Sequence, residues 1–147
     1  NMNRLFYTPD QVGLDKVVAA KQTLNKINGK IVIEAYSCNI TEEAHYNKLL
    51  ENIERGGLNG AHIDLVISCV DNYAARMTIN SGCNEKNQVW FESGVSEDAL
   101  SCHYQILIPG ETACFACIPP MAFLEKNENN IKREGVCAAS LPTTMVS

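Results

Sequence analysis

Two cysteines at C-x-x-C spacing, Cys114 and Cys117 in "CFAC", follow a proline–glycine turn. A pair of thiolates at this spacing makes half of a four-thiolate zinc site. No second C-x-x-C occurs in the chain. The same spacing serves dithiol redox chemistry, although no strand-to-helix redox setting surrounds it, and plain burial is the third reading. Further along, Cys137 stands in "GVCAAS", among glycine and alanine, with "PTT" opening a helix after it. Small neighbours let a bulky partner approach, and a nearby helix start lowers a thiol pKa, which suits a nucleophile. No histidine adjoins Cys137 in sequence, so a small buried cysteine is the alternative.

Two further groups point to phosphate chemistry. "SCVDN" puts Asp71 and Asn72 at the end of an apolar run. An aspartate there can hold Mg²⁺, which takes one or two carboxylates plus phosphate oxygens; it can equally cap the next helix. "NMNR", Asn1 to Arg4, and Lys16 in "GLDK" supply an arginine and a lysine. Such a pair can share the charge of a triphosphate, the arginine by bidentate contact and the lysine as a point charge. Solvated surface residues are the plain reading of both.

The elements that must hold these residues alternate along the chain. "TPDQ", Thr8 to Gln11, reads as a capping box with proline at the first helical position. A helix over about Leu14 to Ile27 follows, with Val17, Ala20, Leu24 and Ile27 at helical spacing. "IVIEAY", Ile31 to Tyr36, is β-branched and aromatic and predicts a strand. Thr41 caps a second helix that Gly56-Gly57 stop, with Leu49, Leu50 and Ile53 on its apolar side. "IDLVISCV", Ile63 to Val70, predicts a strand buried on both faces, as in a parallel sheet. A helix to about Glu85, a short strand "QVWFES" and a longer strand in "ALSCHYQILIPG" complete the order.

Such alternation predicts a doubly wound α/β fold, whose ligands bind beyond the carboxyl ends of the strands. Asn39 and Asp71-Asn72 fall at two such ends and are expected to converge on one crevice. No G-x-G-x-x-G is present, so either the fold binds something else or the phosphate loop lies upstream of Asn1. The polar stretch "EKNENNIK", Glu125 to Lys132, reads as a mobile surface connection.

Composition bounds these readings. The chain has 147 residues, 46% hydrophobic and 20% charged, with a net charge of −5. That fits one globular domain with a sizeable core. Lysine and arginine are scattered, so no basic stripe points to nucleic acid, and no apolar run approaches the roughly 20 residues that span a bilayer. Seven cysteines cannot all pair internally. Cys38, Cys69, Cys83 and Cys102 read as reduced, buried small side chains, which places the protein in the cytosol or nucleus. A start at Asn1 and a stop at an opening helix suggest an internal stretch of a longer protein.

Taken together, "NMNRLFY", "GLDK", "SCVDNYAARMTIN", "ESGVSE", "IPGETACFACIPP" and "REGVCAASLPTTM" resemble the adenylation domain of the ubiquitin-like modifier-activating enzymes. The likeness runs over nearly the whole chain and is strongest to the branch that activates ubiquitin-fold modifier 1. It implies a Rossmann-like doubly wound α/β sheet of the ThiF/MoeB type, here without its first strands and glycine-rich loop. It implies ATP with Mg²⁺, adenylation of a modifier's C-terminal glycine, a thioester and transfer to a conjugating enzyme, by a cytoplasmic homodimer. By the same resemblance Cys137 is the nucleophile, Asn1 and Arg4 form the ATP-contacting arginine motif and Lys16 binds phosphate. Asn39 then contacts nucleotide, Asp71 holds the metal with Asn72 beside it, and Cys114 and Cys117 are the first pair of a zinc site. Leu5 stands where many members carry glutamine. Two alternatives share parts of the pattern: an adenylyltransferase for a sulfur-carrier protein, with no essential thioester, and a non-catalytic subunit of a heterodimeric activating enzyme.

Overall fold

The computed structural model describes residues 6–95 and 102–120. Asn1, Arg4, Cys137 and residues 125–132 lie outside the described residues. The chain divides into two compact units; the described residues of the first are 6–38, and those of the second are 39–95 and 102–120.

In the first unit the "TPDQ" signal forms its own turn rather than the start of the long helix. Pro9–Gln11 make a single 3₁₀ turn, and the Thr8 N–H donates to Gln11 Oε1 at 3.0 Å. Helix α1 then runs Lys16–Ile27, with Asp15 at its N-cap position. Gln11 is buried and donates from Nε2 to Ala19 O and Thr23 Oγ1, both at 3.0 Å, which docks the turn on α1. The buried residue of α1 is therefore Ala19, and Ile27, expected on the apolar stripe, is 72% exposed.

The expected strand at Ile31–Tyr36 does not form. Residues 32–39 join no ladder, and Val32 lies 88% exposed. β-branched composition favours a half-buried pleated surface, but a strand also needs a neighbour for its N–H and C=O groups. None pairs with this segment among the described residues.

The second unit holds helices α2 (Glu43–Arg55) and α3 (Tyr73–Glu85) and strands β1 (Val66–Ser68), β2 (Trp90–Val95) and β3 (Cys102–Leu107). The strand order is β1-β2-β3, with β1 parallel and β3 antiparallel to β2. Val66 pairs with Trp90, and Trp90 with Leu107, so these three share the inner face. Ile53, Ile79, Cys83, Trp90, Leu107 and Phe115 form the core, with Trp90 and Phe115 fully buried.

β1 is shorter than predicted and is not buried on both faces: Ser68 points inward while Ile67 is 67% exposed. Ile67, Phe91 and Ile106 stand in register on the outer face, where Ile67 and Ile106 are exposed. Helix α2 begins one residue later than expected, with Glu42 rather than Thr41 at the N-cap position. The Thr41 backbone N–H and hydroxyl instead bond Asn39 Oδ1. Gly56 and Gly57 do stop the helix. A Cβ at Gly57 would stand 2.6 Å from the His62 carbonyl oxygen, so the chain can turn there only without a side chain. Of the cysteines expected inside, only Cys83 is buried; Cys38, Cys69 and Cys102 are exposed, because their segments sit at loop or outer-face positions. Among the described residues no helix is long and apolar enough to cross a membrane.

Candidate functional site

Asp71 lies three residues past β1, at the carboxyl end of the parallel pair, and it is exposed. It is not the helix cap. Asn72 Oδ1 accepts the Ala75 N–H at 2.8 Å, and Asn72 is the N-cap of α3. Among the described residues the Asp71 carboxylate meets a single long contact, from Asn72 Nδ2 at 3.3 Å, and it is exposed, as a carboxylate that takes a cation must be. The capping role that the sequence left open for Asp71 thus falls to Asn72.

Asn39 belongs to the same unit but does not end a strand. Its Oδ1 and carbonyl oxygen organise the turn into α2, the latter meeting His45 Nδ1 at 3.0 Å. Lys16 is exposed at the first position of α1, in the first unit. A helix start carrying a lysine favours anions. A shallow cavity of about 270 Å³ is lined by Gln105, Ile106, Leu107, Thr112, Ala113 and Ile118, and by none of the predicted nucleotide residues.

Behind Asp71 sits a buried ionic network that the sequence reading missed. Glu92 on β2 is 0% exposed. Its Oε1 accepts from Arg76 Nε at 2.5 Å, and its Oε2 lies 2.6 Å from His103 Nε2 on β3. Arg76 also donates from Nη2 to the Val70 carbonyl oxygen at 2.6 Å. The residue before Asp71 is thereby tied through α3 to the central strand. Gly94 makes room for this arrangement, since a Cβ there would stand 2.5 Å from His103 Cε1 and 2.6 Å from Arg76 Nη2. One sequence signal was available: Arg76 and Asn80 fall in phase with Ile79 and Cys83 on α3, and polar residues on an apolar stripe are the informative ones.

The "CFAC" turn is anchored from within. Phe115 inserts into the core, 6.3 Å from the Trp90 ring and 6.1 Å from Tyr73. Its N–H donates to Asn80 Oδ1 at 3.0 Å. Cys114 and Cys117 Sγ stand 3.4 Å apart. Burial opposes ionisation of Cys114, yet hydrogen bonds from the Cys117 thiol, the Cys117 and Ala116 N–H groups and the Asn80 amide bring its pKa below the ordinary thiol value. Cys117 moves the other way, because its proton is held by Cys114. The first proton is therefore lost more readily from Cys114, and the second is held on Cys117 beside the Cys114 sulfur.

Cys83 contrasts with both, since burial pushes its thiol up to about 12. In chelator-treated, metal-free protein, alkylation with iodoacetamide at pH 7.5 is expected to label the 114–117 pair at least ~10-fold faster than Cys83, as thiolate fraction and access both dictate, read by peptide mapping. Because the folded pKa of Cys83 is raised, its contribution to stability is intact below its ordinary value of 9.0 and falls as pH rises from there toward 12.

Two sulfurs on one tetrahedral zinc stand about 3.8 Å apart, given Zn–S of about 2.3 Å, so the pair fits as half a site. Among the described residues no group of three or more His, Cys, Asp or Glu side chains gathers to complete it. The zinc reading therefore needs ligands beyond the described residues.

Comparison with known proteins bears on the whole chain. It is 60% identical over 147 residues to ubiquitin-like modifier-activating enzyme 5 of Drosophila mojavensis, covering 99% of this chain and 37% of that protein. It is 58% identical over 146 residues to the protein of the same name in Bombyx mori, again 99% and 37%. The chain thus spans just over a third of the length of these curated relatives. Among solved structures it resembles Escherichia coli MccB with AMPCPP and SeMet MccA, with TM-score 0.64, 23% identity, and 88% of this chain and 34% of that one covered. A second MccB structure, with N-formylated MccA, gives TM-score 0.62 at 19% identity over 96% of this chain and 35% of that one. At that identity the likeness speaks for the fold, a ThiF/MoeB-like α/β domain of which the three-stranded sheet is a part. The ThiF family matches residues 1–146, and on that match the chain belongs to the ThiF family.

Proposed function

We propose that this chain is part of an ATP-dependent activating enzyme for a ubiquitin-like modifier, ubiquitin-fold modifier 1 in particular. The observation that carries the reading is the 58–60% identity, over nearly all of these residues, to enzymes named for modifier activation. The exposed Asp71 carboxylate at the end of β1 supports it, since that edge is where α/β sheets bind their ligands.

In this reading Arg4, with Asn1, and Lys16 bind the triphosphate, and Asn39 contacts the nucleotide. Asp71, flanked by Asn72, would hold Mg²⁺, and the ion would supply charge neutralisation at the phosphates. Cys137 attacks the acyl-adenylate of the modifier's C-terminal glycine; the C–S bond forms as AMP departs with the bonding electron pair. The thioester then passes to a conjugating enzyme's cysteine. Cys114 and Cys117 supply half of a structural zinc site. We place the enzyme in the cytoplasm, with the nucleus as a second compartment, and as a homodimer. The six cysteines among the described residues stand as free thiols, in keeping with a reducing setting.

The test is to incubate the full-length protein with ATP, Mg²⁺ and purified modifier. A conjugate that dissolves with reductant is expected, and its absence alongside intact pyrophosphate exchange would favour a sulfur-carrier adenylyltransferase. Asp71→Ala is expected to slow pyrophosphate exchange by on the order of 10²-fold, the scale for losing one preorganised electrostatic group. Exchange and ATP binding unaltered by that change would return the chain to a non-catalytic subunit.

A further inference from the structure

Two Asn-Gly pairs occur in the chain, Asn28-Gly29 and Asn59-Gly60. Both asparagines are exposed, yet their backbone settings differ. Asn28 follows α1 as its C-cap, and its N–H donates to the Leu24 carbonyl oxygen at 2.9 Å. Its Oδ1 accepts the Lys30 N–H at 3.0 Å, which folds the side-chain amide forward over the Gly29 peptide. Among the described residues nothing accepts from the Gly29 N–H. In the second pair the Gly60 N–H is engaged, donating to the Gly57 carbonyl oxygen at 3.1 Å. Asn59 there sits in the left-handed region, at φ 59°, inside a 3₁₀ turn.

We propose that Asn28-Gly29 is a site of intramolecular deamidation, where the folded chain modifies its own backbone with water as the sole co-reactant. The Gly29 amide nitrogen attacks the Asn28 side-chain carbonyl carbon and gives its proton to a solvent base. A C–N bond forms, the side-chain amide takes a proton and leaves as ammonia, and a five-membered succinimide remains. Water then opens either carbonyl, leaving aspartate or isoaspartate, so one water enters for each ammonia released. Three features carry this. No described group holds the attacking N–H. Glycine brings no Cβ to crowd the ring as it closes. The Lys30 N–H already stands on the oxygen where negative charge develops in the tetrahedral intermediate. At Asn59-Gly60 the nucleophile must first leave its hydrogen bond to Gly57. The product places a carboxylate at the C-terminal end of α1, where backbone carbonyls already concentrate negative charge. The isoaspartyl form also adds a carbon to the main chain just after that helix, so modification is expected to fray its last turn.

The test holds full-length protein in mildly alkaline buffer at physiological temperature and follows its tryptic peptides by mass spectrometry over days. The two pairs fall in separate peptides, because Lys26, Lys30 and Arg55 are cleavage points. Isoaspartate is read independently with a protein isoaspartyl methyltransferase and labelled S-adenosylmethionine. In the folded protein Asn28 is expected to convert faster than Asn59 by on the order of tenfold, since a hydrogen-bonded amide reacts only after local opening. In urea, where neither amide is held, the two should convert at similar rates. Gly29→Ala is sterically open, its Cβ meeting only the Asn25 carbonyl oxygen at 3.7 Å. That variant should keep the thermal midpoint of the wild type and slow conversion at Asn28 by about tenfold. An Asn28 that stays intact in the folded protein, or converts no faster than Asn59, overturns the proposal. Conversion at Asn28 unslowed by Gly29→Ala removes attack by the Gly29 nitrogen as its route.

Discussion

Replacing Cys137 with alanine in the full-length protein is expected to abolish the reductant-sensitive modifier conjugate while leaving ATP–pyrophosphate exchange near its original rate. The two half-reactions ask different things of the protein. Adenylation needs fixed cations where phosphate charge builds up, and in the proposed reading Arg4, Lys16 and a metal at Asp71 would supply them. Thioester formation needs a sulfur that can reach an electrophile already activated by AMP. Such a cysteine requires no histidine beside it, because the leaving group, rather than a base, supplies the driving force. Hence an isolated cysteine among glycine and alanine is chemically sufficient. A conjugate that persists in Cys137→Ala removes the nucleophile from Cys137 and assigns it to another of the seven cysteines.

Glu92→Ala is expected to lower stability by about 3–5 kcal/mol, the scale for breaking a buried ion pair from one side. Glu92 is wholly buried between Arg76 and His103, and Arg76 itself is only 4% exposed. Without the carboxylate the guanidinium stays buried with its strongest partner gone, and it can recover solvation only by pulling α3 away from β2. Urea unfolding should show a lower midpoint with an unchanged slope. Glu92→Gln, which keeps an acceptor of the same shape, should recover part of the loss. A midpoint within experimental error of the wild type would mean that the network carries no net stability. Because Arg76 also bonds the Val70 carbonyl oxygen, the same change should loosen the turn that presents Asp71.

The helices were legible because their signals are local. Glycines end α2, and the apolar spacing at Leu49, Leu50 and Ile53 gave the right face of α2, while the cap of α3 falls on Asn72, one residue beyond Asp71. The strand at Ile31–Tyr36 was misread because β-branched composition states a preference, while a ladder requires a partner that composition cannot name. The exposure of Ile67 was misread for the same reason: burial on the second face of a sheet belongs to whatever packs there. The candidate site was half legible. Residue types and the family resemblance named Asp71, Cys114 and Cys117, whose surroundings fit cation and thiolate chemistry. Glu92 and His103 were not legible, since they meet Arg76 only through the pairing of β2 with β3. Asn80 was hidden likewise, because its turn lies 35 residues downstream.

The placement of Phe115 has an optical consequence. The chain holds a single tryptophan, Trp90, and its ring lies 6.3 Å from that of Phe115. Phe115 lies between the two cysteines in sequence and packs beside the buried indole, so a change at the thiols that shifts the turn is expected to reach Trp90. Indole emission depends on how tightly its pocket is packed and how dry it is. Intrinsic fluorescence is therefore expected to report on Cys114 and Cys117 without a label, as a shift of Trp90 emission on thiol modification.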